Sequence, residues 1–185
     1  EANLYYALAA EQNNSNALYK LGYFNEYGKG VKKDYYEAKS YYELSAKLLN
    51  PDALYKLGTF YEKSIIVEED KNKAIDYYEL SAKQNNSKAL FKLGVFYDEG
   101  THLKKDDSKA IEYYKLSAKQ NNAKAFLKLG YIYEDGKCVQ KNYFKALKYY
   151  ALSAKQNNFK AIIKLRTFLE KEFLTEREYY ELFWE

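Results

Sequence analysis

Residues 80–86 read Leu-Ser-Ala-Lys-Gln-Asn-Asn, and this stretch decides the fold because it recurs at a fixed interval. Leu-Ser-Ala-Lys begins at four places that are 36 residues apart, namely Leu44, Leu80, Leu116 and Leu152. An Asn-Asn pair closes three of the segments, at 85–86, 121–122 and 157–158. Self-similarity with a period of about 20–50 residues is typical of solenoids and other repeat arrays.

Working outward from this stretch divides the chain into repeats with no insertion or deletion between them. Four complete repeats cover residues 15–50, 51–86, 87–122 and 123–158. Residues 1–14 match the second half of an earlier repeat, and residues 159–185 form a partial fifth repeat. We expect this fifth repeat to cap the C-terminal end, because terminal repeats of solenoids are atypical. Its atypical residues are Arg166, which replaces a glycine, and Tyr179, Phe183 and Trp184 near the chain end. A single domain over residues 1–185 is therefore predicted.

The apolar spacing inside each repeat is helical. Counted from the first residue of a repeat, apolar side chains fall at positions 3, 4, 7 and 11, on one face of a helix, except that the first repeat has Asn25 at position 11. A break follows at position 14, occupied by Gly28, Ser64, Gly100 and Gly136. A second helix is predicted from position 20, where Asp34, Asp70, Asp106 and Asn142 are suitable N-caps. It ends at position 36, where we expect Asn50, Asn86, Asn122 and Asn158 to adopt the left-handed cap conformation.

Each repeat is therefore predicted to be an antiparallel pair of helices. Glycine at position 8 allows close approach, and it is present as Gly22, Gly58, Gly94 and Gly130. Tyrosines at positions 27 and 28 supply bulk. One pair cannot bury its own apolar face, whereas stacked pairs share a continuous core. The predicted fold class is all-α, an α/α superhelical solenoid of 36-residue helix-turn-helix repeats.

The first repeat resembles a known family. The residues that carry the resemblance are Ala-Leu-Tyr-Lys-Leu-Gly at 17–22, Tyr-Gly-Lys-Gly-Val at 27–31, Asp34, Ala38 and the tyrosines at 41–42. This pattern resembles the Sel-1-like repeat family, which is related to the tetratricopeptide repeats. The resemblance implies an adaptor or scaffold in protein complexes, and some bacterial members mediate host contact. The second repeat departs from the pattern, with Lys-Ser-Ile-Ile-Val at 63–67 in place of the glycine loop.

The residue inventory argues against an enzyme. His102 is the only histidine and Cys138 the only cysteine, and both occupy position 16 of their repeats. Equivalent residues of stacked helices lie roughly 8–10 Å apart, too far for ligands that must each lie about 2 Å from one zinc ion. The chain contains no phosphate-binding loop, dinucleotide fingerprint or nucleophile elbow. We predict a chain that is not an enzyme and that has neither metal nor cofactor.

Composition restricts the partners and the compartment. A net charge of +4 among 56 charged residues is weaker than nucleic-acid binding usually requires. No apolar run approaches the roughly 18 residues of a membrane span, and no signal peptide is visible. One cysteine and no signal peptide favour the cytoplasm. The chain has no methionine, so we expect a fragment or processed form, and an upstream signal and the oligomeric state stay open.

One face of the first helix in each repeat is the candidate binding surface. Positions 2, 5, 9, 12 and 13 point away from the helix-pair core, and we call them the first-helix surface. In related solenoids this surface lines a concave groove. Positions 5 and 9 are mostly apolar or aromatic, and position 12 is acidic, with Glu170 in the fifth repeat. The predicted partner-binding residues are Tyr19, Tyr23, Glu26, Tyr55, Glu62, Phe91, Asp98, Leu127, Tyr131 and Glu134. Aromatic anchors beside carboxylates favour a protein or peptide segment with apolar and basic residues.

Three other interpretations stay open. Position 5 could pack between neighbouring repeats, with position 12 an ordinary solvated carboxylate. Lysines at position 6 (Lys20, Lys56, Lys92, Lys128 and Lys164) indicate a nucleic-acid-binding repeat protein, which the acidic row disfavours. Position 6 and position 12 are too far apart for an i, i+4 pair, so we expect the two rows not to neutralise each other locally, within one helix. The chain could also be a non-catalytic repeat region of a larger secreted or host-interacting protein.

Tyr55→Ala combined with Phe91→Ala separates the groove from the core interpretation. If both rings are exposed anchors, the double variant weakens partner binding by more than about 2 kcal/mol and melts at an almost unchanged temperature. If the rings belong to the core, the melting temperature falls, and binding is lost only through unfolding. A thermal melt and a binding titration on the same sample decide between the two.

Overall fold

The computed structural model describes residues 2–169. The predicted capping residues Tyr179, Phe183 and Trp184, and the acidic Glu170, lie outside the described residues. Within residues 2–169 the chain forms ten α-helices and no strand. They are α1 (Ala2–Glu11), α2 (Ser15–Tyr27), α3 (Tyr35–Lys47), α4 (Pro51–Glu62), α5 (Lys71–Lys83), α6 (Ser87–Glu99), α7 (Asp107–Lys119), α8 (Ala123–Asp135), α9 (Tyr143–Ala154) and α10 (Phe159–Leu169). The all-α fold of paired helices is confirmed, and the breaks lie where the sequence predicts them.

Short polar side chains begin the second helix of each repeat, as predicted. The Asp34 carboxylate accepts hydrogen bonds from the backbone N–H groups of Tyr36 and Glu37, at 2.8 and 3.0 Å. The other three caps make one such bond each, to Lys73, Lys109 and Lys145. At position 14 the backbone is left-handed in all four repeats, with φ between 54° and 75° at Gly28, Ser64, Gly100 and Gly136.

The predicted role of the asparagine at position 36 is wrong. Asn50 has φ −64° and is the N-cap of the next helix, where its side chain accepts from the N–H groups of Asp52 and Ala53. The left-handed residue is one position earlier, as at Leu49, Asn85, Asn121 and Asn157, with φ between 56° and 60°. The two adjacent residues therefore have different roles: the residue at position 35 is left-handed and follows one helix, and the asparagine at position 36 is the N-cap of the next.

The chain forms two compact units, Glu1–Leu93 and Gly94–Glu185, and the division falls inside α6. In the N-terminal unit α2 packs on α1 and α3, and α4 packs on α3 and α5. Its core centres on Tyr42, Leu57 and Phe60. In the C-terminal unit α8 packs on α7 and α9, and α9 also packs on α10. Leu147, Tyr150 and other apolar side chains form the core there.

The tyrosine at position 28 fills the space above the glycine at position 8 in every complete repeat. Tyr42, Tyr78, Tyr114 and Tyr150 are fully buried. A Cβ atom on Gly58 would lie 2.6 Å from Tyr78 Cε1, and one on Gly130 would lie 2.3 Å from Tyr150 Cε1. Real Cβ contacts are not that short, so glycine is required for the ring to seat against the first helix.

We predict that Gly58→Ala destabilises the fold, although alanine has a helix propensity about 1 kcal/mol more favourable than that of glycine. The added methyl group meets a buried ring that has no room to move, and overpacking of this kind costs about 1–3 kcal/mol. Denaturant unfolding measures the change. Asn72→Ala, at an exposed position of α5, is the control because it changes helix propensity without touching the core. A Gly58→Ala protein that is as stable as the control would show that the ring can give way.

Candidate partner-binding surface

The carboxylates at position 12 are held by the buried tyrosines of their own repeats. The Tyr78 hydroxyl donates to Glu62 at 2.5 Å, and the Tyr114 hydroxyl donates to Asp98 at 3.2 Å. Tyr42 and Tyr150 donate in the same way to Glu26 and Glu134. Each of these hydroxyls is therefore satisfied even though its ring lies in the core.

Each carboxylate also binds the position-6 lysine of the repeat that follows. The four ion pairs are Lys56–Glu26 at 2.8 Å, Lys92–Glu62 at 2.7 Å, Lys128–Asp98 at 3.1 Å and Lys164–Glu134 at 2.9 Å. The two positions do not pair within one helix, but the acidic and basic rows do neutralise each other between repeats, which the spacing within one helix did not predict. Stacking brings position 6 of one repeat beside position 12 of the preceding one. We call each Tyr–carboxylate–Lys set a junction triad.

Two of the junction triads lower the pKa values of their carboxylates, Glu62 and Asp98. Burial opposes ionisation of Glu62, but hydrogen bonds from Lys92 and Tyr78 outweigh it, and the pKa of Glu62 is lowered. Asp98 follows the same pattern, because hydrogen bonds from Lys137 and Lys128 outweigh the effect of burial on its pKa. These carboxylates are charged, partly buried and already paired. They do not present the row of unpaired acceptors that a basic partner would need.

The position-5 side chains form no uniformly exposed row. Tyr19 and Tyr55 are half-buried, and their ring centroids lie 5.7 and 5.6 Å from those of Tyr42 and Tyr78. Burial, with a smaller contribution from the Asp52 charge, raises the pKa of Tyr19 to about 12. Leu127 is only 8% exposed, so it is a core residue and not an anchor. For Tyr55→Ala with Phe91→Ala, whose side chains are both half-buried, this packing favours loss of stability.

The position-9 tyrosines lie among lysines. Tyr23 packs against Tyr27 with the two rings tilted by 40° and their centroids 4.6 Å apart. Lys29 Nζ lies 4.9 Å from the Tyr23 centroid. Tyr131 packs edge-on against Tyr150 at 5.6 Å, and Lys164 Nζ lies 5.1 Å from its centroid. Distances of about 6 Å or less permit cation–π attraction. These two positions therefore keep an aromatic surface beside positive charge.

A cavity of about 590 Å³ opens on the first-helix surface of the C-terminal unit. Its lining residues are Tyr131, Glu134, Asp135, Lys141, Tyr143, Lys160, Ile163, Lys164, Thr167 and Phe168. It brings together two predicted binding residues, Tyr131 and Glu134. The sequence placed Ile163 on this surface, but the predicted set of binding residues ended with the fourth repeat. Lys141 lies in the loop before α9, and Tyr143 is the first residue of α9. The pattern on the first helix of each repeat therefore did not predict these two lining residues.

The isolated histidine and cysteine are loop residues, as expected. His102 and Cys138 are both exposed and have left-handed backbones, with φ of 63° and 55°. The Cys138 thiol donates to Asp107 Oδ2 at 3.8 Å. In the part of the chain that the structure describes, no group of His, Cys, Asp and Glu side chains is arranged to hold a metal ion. None of the described helices is long and apolar enough to cross a bilayer.

Comparison with known proteins identifies the repeat. The family model described as Sel1 repeat matches residues 1–14, 15–48, 51–86, 87–122 and 123–158. The chain belongs to the Sel1 repeat family. Sel1 repeat proteins are generally protein-interaction scaffolds that bind protein partners, and the family is generally non-catalytic.

Several solved structures resemble the chain in fold. A Sel1 repeat protein from Oxalobacter formigenes is 33% identical with a TM-score of 0.78, and the match covers 83% of this chain and 62% of that one. The protective antigen c5321 of uropathogenic Escherichia coli is 30% identical with a TM-score of 0.80, covering 97% of this chain and 38% of that one. Immunity protein Pa5087 from Pseudomonas aeruginosa is 29% identical with a TM-score of 0.60, covering 84% and 58%. The chain thus spans less than two thirds of the length of these relatives. No curated protein matches it.

Glu62→Gln tests the junction triads through pH. The lowered folded-state pKa of Glu62 means that its contribution to stability is full above the unfolded value near 4.5 and is lost as the pH falls through the folded value. We expect the variant to lose about 1 kcal/mol at pH 7 and to show a shallower decline of stability below about pH 5.

Unfolding free energies measured between pH 3 and pH 7 check this expectation. Glu68→Gln is the matched control, because Glu68 is exposed in the loop after α4. Equal pH dependence of the two variants would contradict a role for Glu62 in stability.

Proposed function

We propose that this chain is a protein-interaction scaffold that binds a peptide or protein segment on its first-helix surface. The observation that supports the proposal most directly is the cavity in the C-terminal unit. Its volume of about 590 Å³ falls within the range of about 300–1,000 Å³ that is usual for ligand sites. Tyr131, Tyr143, Ile163 and Phe168 give it apolar walls. Binding energy at interfaces concentrates in such pockets, where one buried anchor displaces water.

The proposal assigns different roles to the predicted binding residues. Tyr131 lines the cavity, and the exposed edges of Tyr19, Tyr23, Tyr55 and Phe91 extend the contact surface in the N-terminal unit. Leu127 and the four carboxylates do not contact the partner in this proposal. The leucine is buried in the core, and the carboxylates are held in junction triads that stabilise the surface. In this proposal, recognition depends on the shape and apolar character of the surface more than on a row of negative charges.

Two other candidate functions have specific support. Residues 94–169 contain 15 basic and 7 acidic side chains, a composition that suits nucleic acid. Against this, the position-6 lysines of repeats two to five are paired with carboxylates, so they are not available to phosphates. A repeat region of a larger secreted or host-interacting protein agrees with the partial coverage of c5321, which is described as a protective antigen. That placement is compatible with a scaffold role.

Filling the cavity tests the proposed function. Peptides selected from a displayed library on the unmodified chain are titrated against Ile163→Trp, which places a large side chain at the cavity. Ile163 is 47% exposed, so we expect an unchanged melting temperature and at least a roughly tenfold loss of affinity.

Leu152→Trp provides the matched control. Leu152 lies on α9 and is 40% exposed, but it does not line the cavity. The proposal is contradicted if the selected peptides bind Ile163→Trp as well as they bind Leu152→Trp. A gel shift with single-stranded RNA at two salt concentrations tests the nucleic-acid alternative on the same proteins.

A further inference from the structure

The two units differ in charge. Residues 1–93 contain 13 basic and 13 acidic side chains, so the N-terminal unit is balanced. Residues 94–169 contain 15 basic and 7 acidic side chains, an excess of eight positive charges in the described part of the C-terminal unit. Residues 170–185 add 2 basic and 6 acidic side chains, so the whole C-terminal unit carries a net charge of +4. The positive excess therefore belongs to residues 94–169, where the cavity lies.

Ion pairing in the C-terminal unit does not remove the excess. Asp98, Asp107 and Glu134 form ion pairs with Lys128, Lys137 and Lys164. These pairs neutralise equal numbers of positive and negative charges, so the excess of lysines is unchanged. Lys137 bridges Asp98 and Asp107, with both Nζ–oxygen distances at 2.8 Å. Pairing has thus committed two of the four described carboxylates on the first-helix surface of this unit, Asp98 and Glu134, while many lysines stay exposed.

The cavity presents two of these lysines at its edge. Lys160 is exposed on α10, three residues before Ile163, so both side chains lie on the same face of that helix. Lys141 is also exposed and lines the cavity from the loop before α9, with its Nζ 4.8 Å from the Tyr143 ring centroid. Asp135 is the one lining carboxylate without an ion pair among the described residues, and Glu134 is bound by Lys164. An apolar hollow bordered by lysines suits an apolar side chain with carboxylates beside it.

We infer that the cavity binds an acidic peptide segment, with one aromatic or aliphatic side chain in the hollow and neighbouring carboxylates on Lys141 and Lys160. The inference rests on the proposed function and names the chemistry of the partner. It reverses the charge expected from the sequence, because the carboxylates that indicated a basic partner belong to the junction triads. A peptide is favoured over nucleic acid because Tyr131, Ile163 and Phe168 give the cavity apolar walls that suit one apolar side chain.

Three fluorescent peptides with the same Trp-Phe centre test the inference. They are flanked on each side by two Glu, two Gln or two Lys residues, and their affinities for the full chain are measured by fluorescence anisotropy. We expect the Glu peptide to bind roughly tenfold more tightly than the Gln peptide, through two partly exposed ion pairs, and the Lys peptide to bind most weakly. The advantage of the Glu peptide should shrink as salt is raised.

Single charge reversals locate the site. Lys160→Glu and Lys141→Glu should each weaken the Glu peptide by about threefold to tenfold and leave the Gln peptide almost unaffected. Lys119→Glu is the control: it changes the unit's charge equally, at an exposed position of α7 that does not line the cavity. Thermal melts of all three variants show whether they fold alike.

The outcomes separate this inference from the proposed function. Equal or tighter binding of the Gln or Lys peptide overturns the acidic preference, and the scaffold role stands. An equal effect of Lys119→Glu also overturns it, because the preference would then come from net charge and not from this cavity. Binding of all three peptides that survives Ile163→Trp contradicts the cavity itself. Single-stranded RNA that displaces the Glu peptide and binds more tightly would assign the lysines to nucleic acid.

Discussion

Every repeat depends on a tyrosine ring that occupies the space left by a missing Cβ. The ring at position 28 lies against the glycine at position 8, and its burial brings the two helices of a repeat together. The hydroxyl of the same tyrosine donates a hydrogen bond to the position-12 carboxylate of its own repeat. A phenylalanine would fill the space but leave the carboxylate without this donor. Tyrosine therefore couples the packing within a repeat to the electrostatics at its border.

The carboxylate extends this coupling to the next repeat. It is fixed by the hydroxyl of its own repeat and then binds a lysine supplied by the following one. Within a repeat, the buried serine at position 31 joins the two helices, because its hydroxyl donates to the backbone carbonyl of position 1, as in Ser81 to Pro51 at 2.6 Å. Apolar burial supplies most of the driving force for stacking, while these polar contacts set the register in which consecutive helices meet.

The sequence predicted the fold because its signals are local and repeated. The break at position 14, the aspartate or asparagine at position 20 and the apolar spacing each act within a few residues, and the four copies place them at the same positions. The errors arose where a contact depends on stacking. Lys92 and Glu62 are 30 residues apart, and only the stacking of consecutive repeats within the N-terminal unit brings them together. The cavity was missed in part for the same reason, since Tyr143 reaches it from a second helix. The Asn50 error was different: two neighbouring residues could each adopt either cap conformation, and the pattern alone did not separate them.

The junction triad also bears on how such a protein changes over time. Each triad takes two members from one repeat and the third from the next, and the spacing of 36 residues is constant. If a whole repeat is duplicated or deleted, the new neighbours still bring a lysine to position 6 and a carboxylate to position 12. Recombination between the similar coding segments can therefore alter the number of repeats and still leave every junction chemically complete. The first-helix surface can therefore lengthen or shorten by whole repeats, whereas the glycine and the buried tyrosine inside each repeat have to be kept.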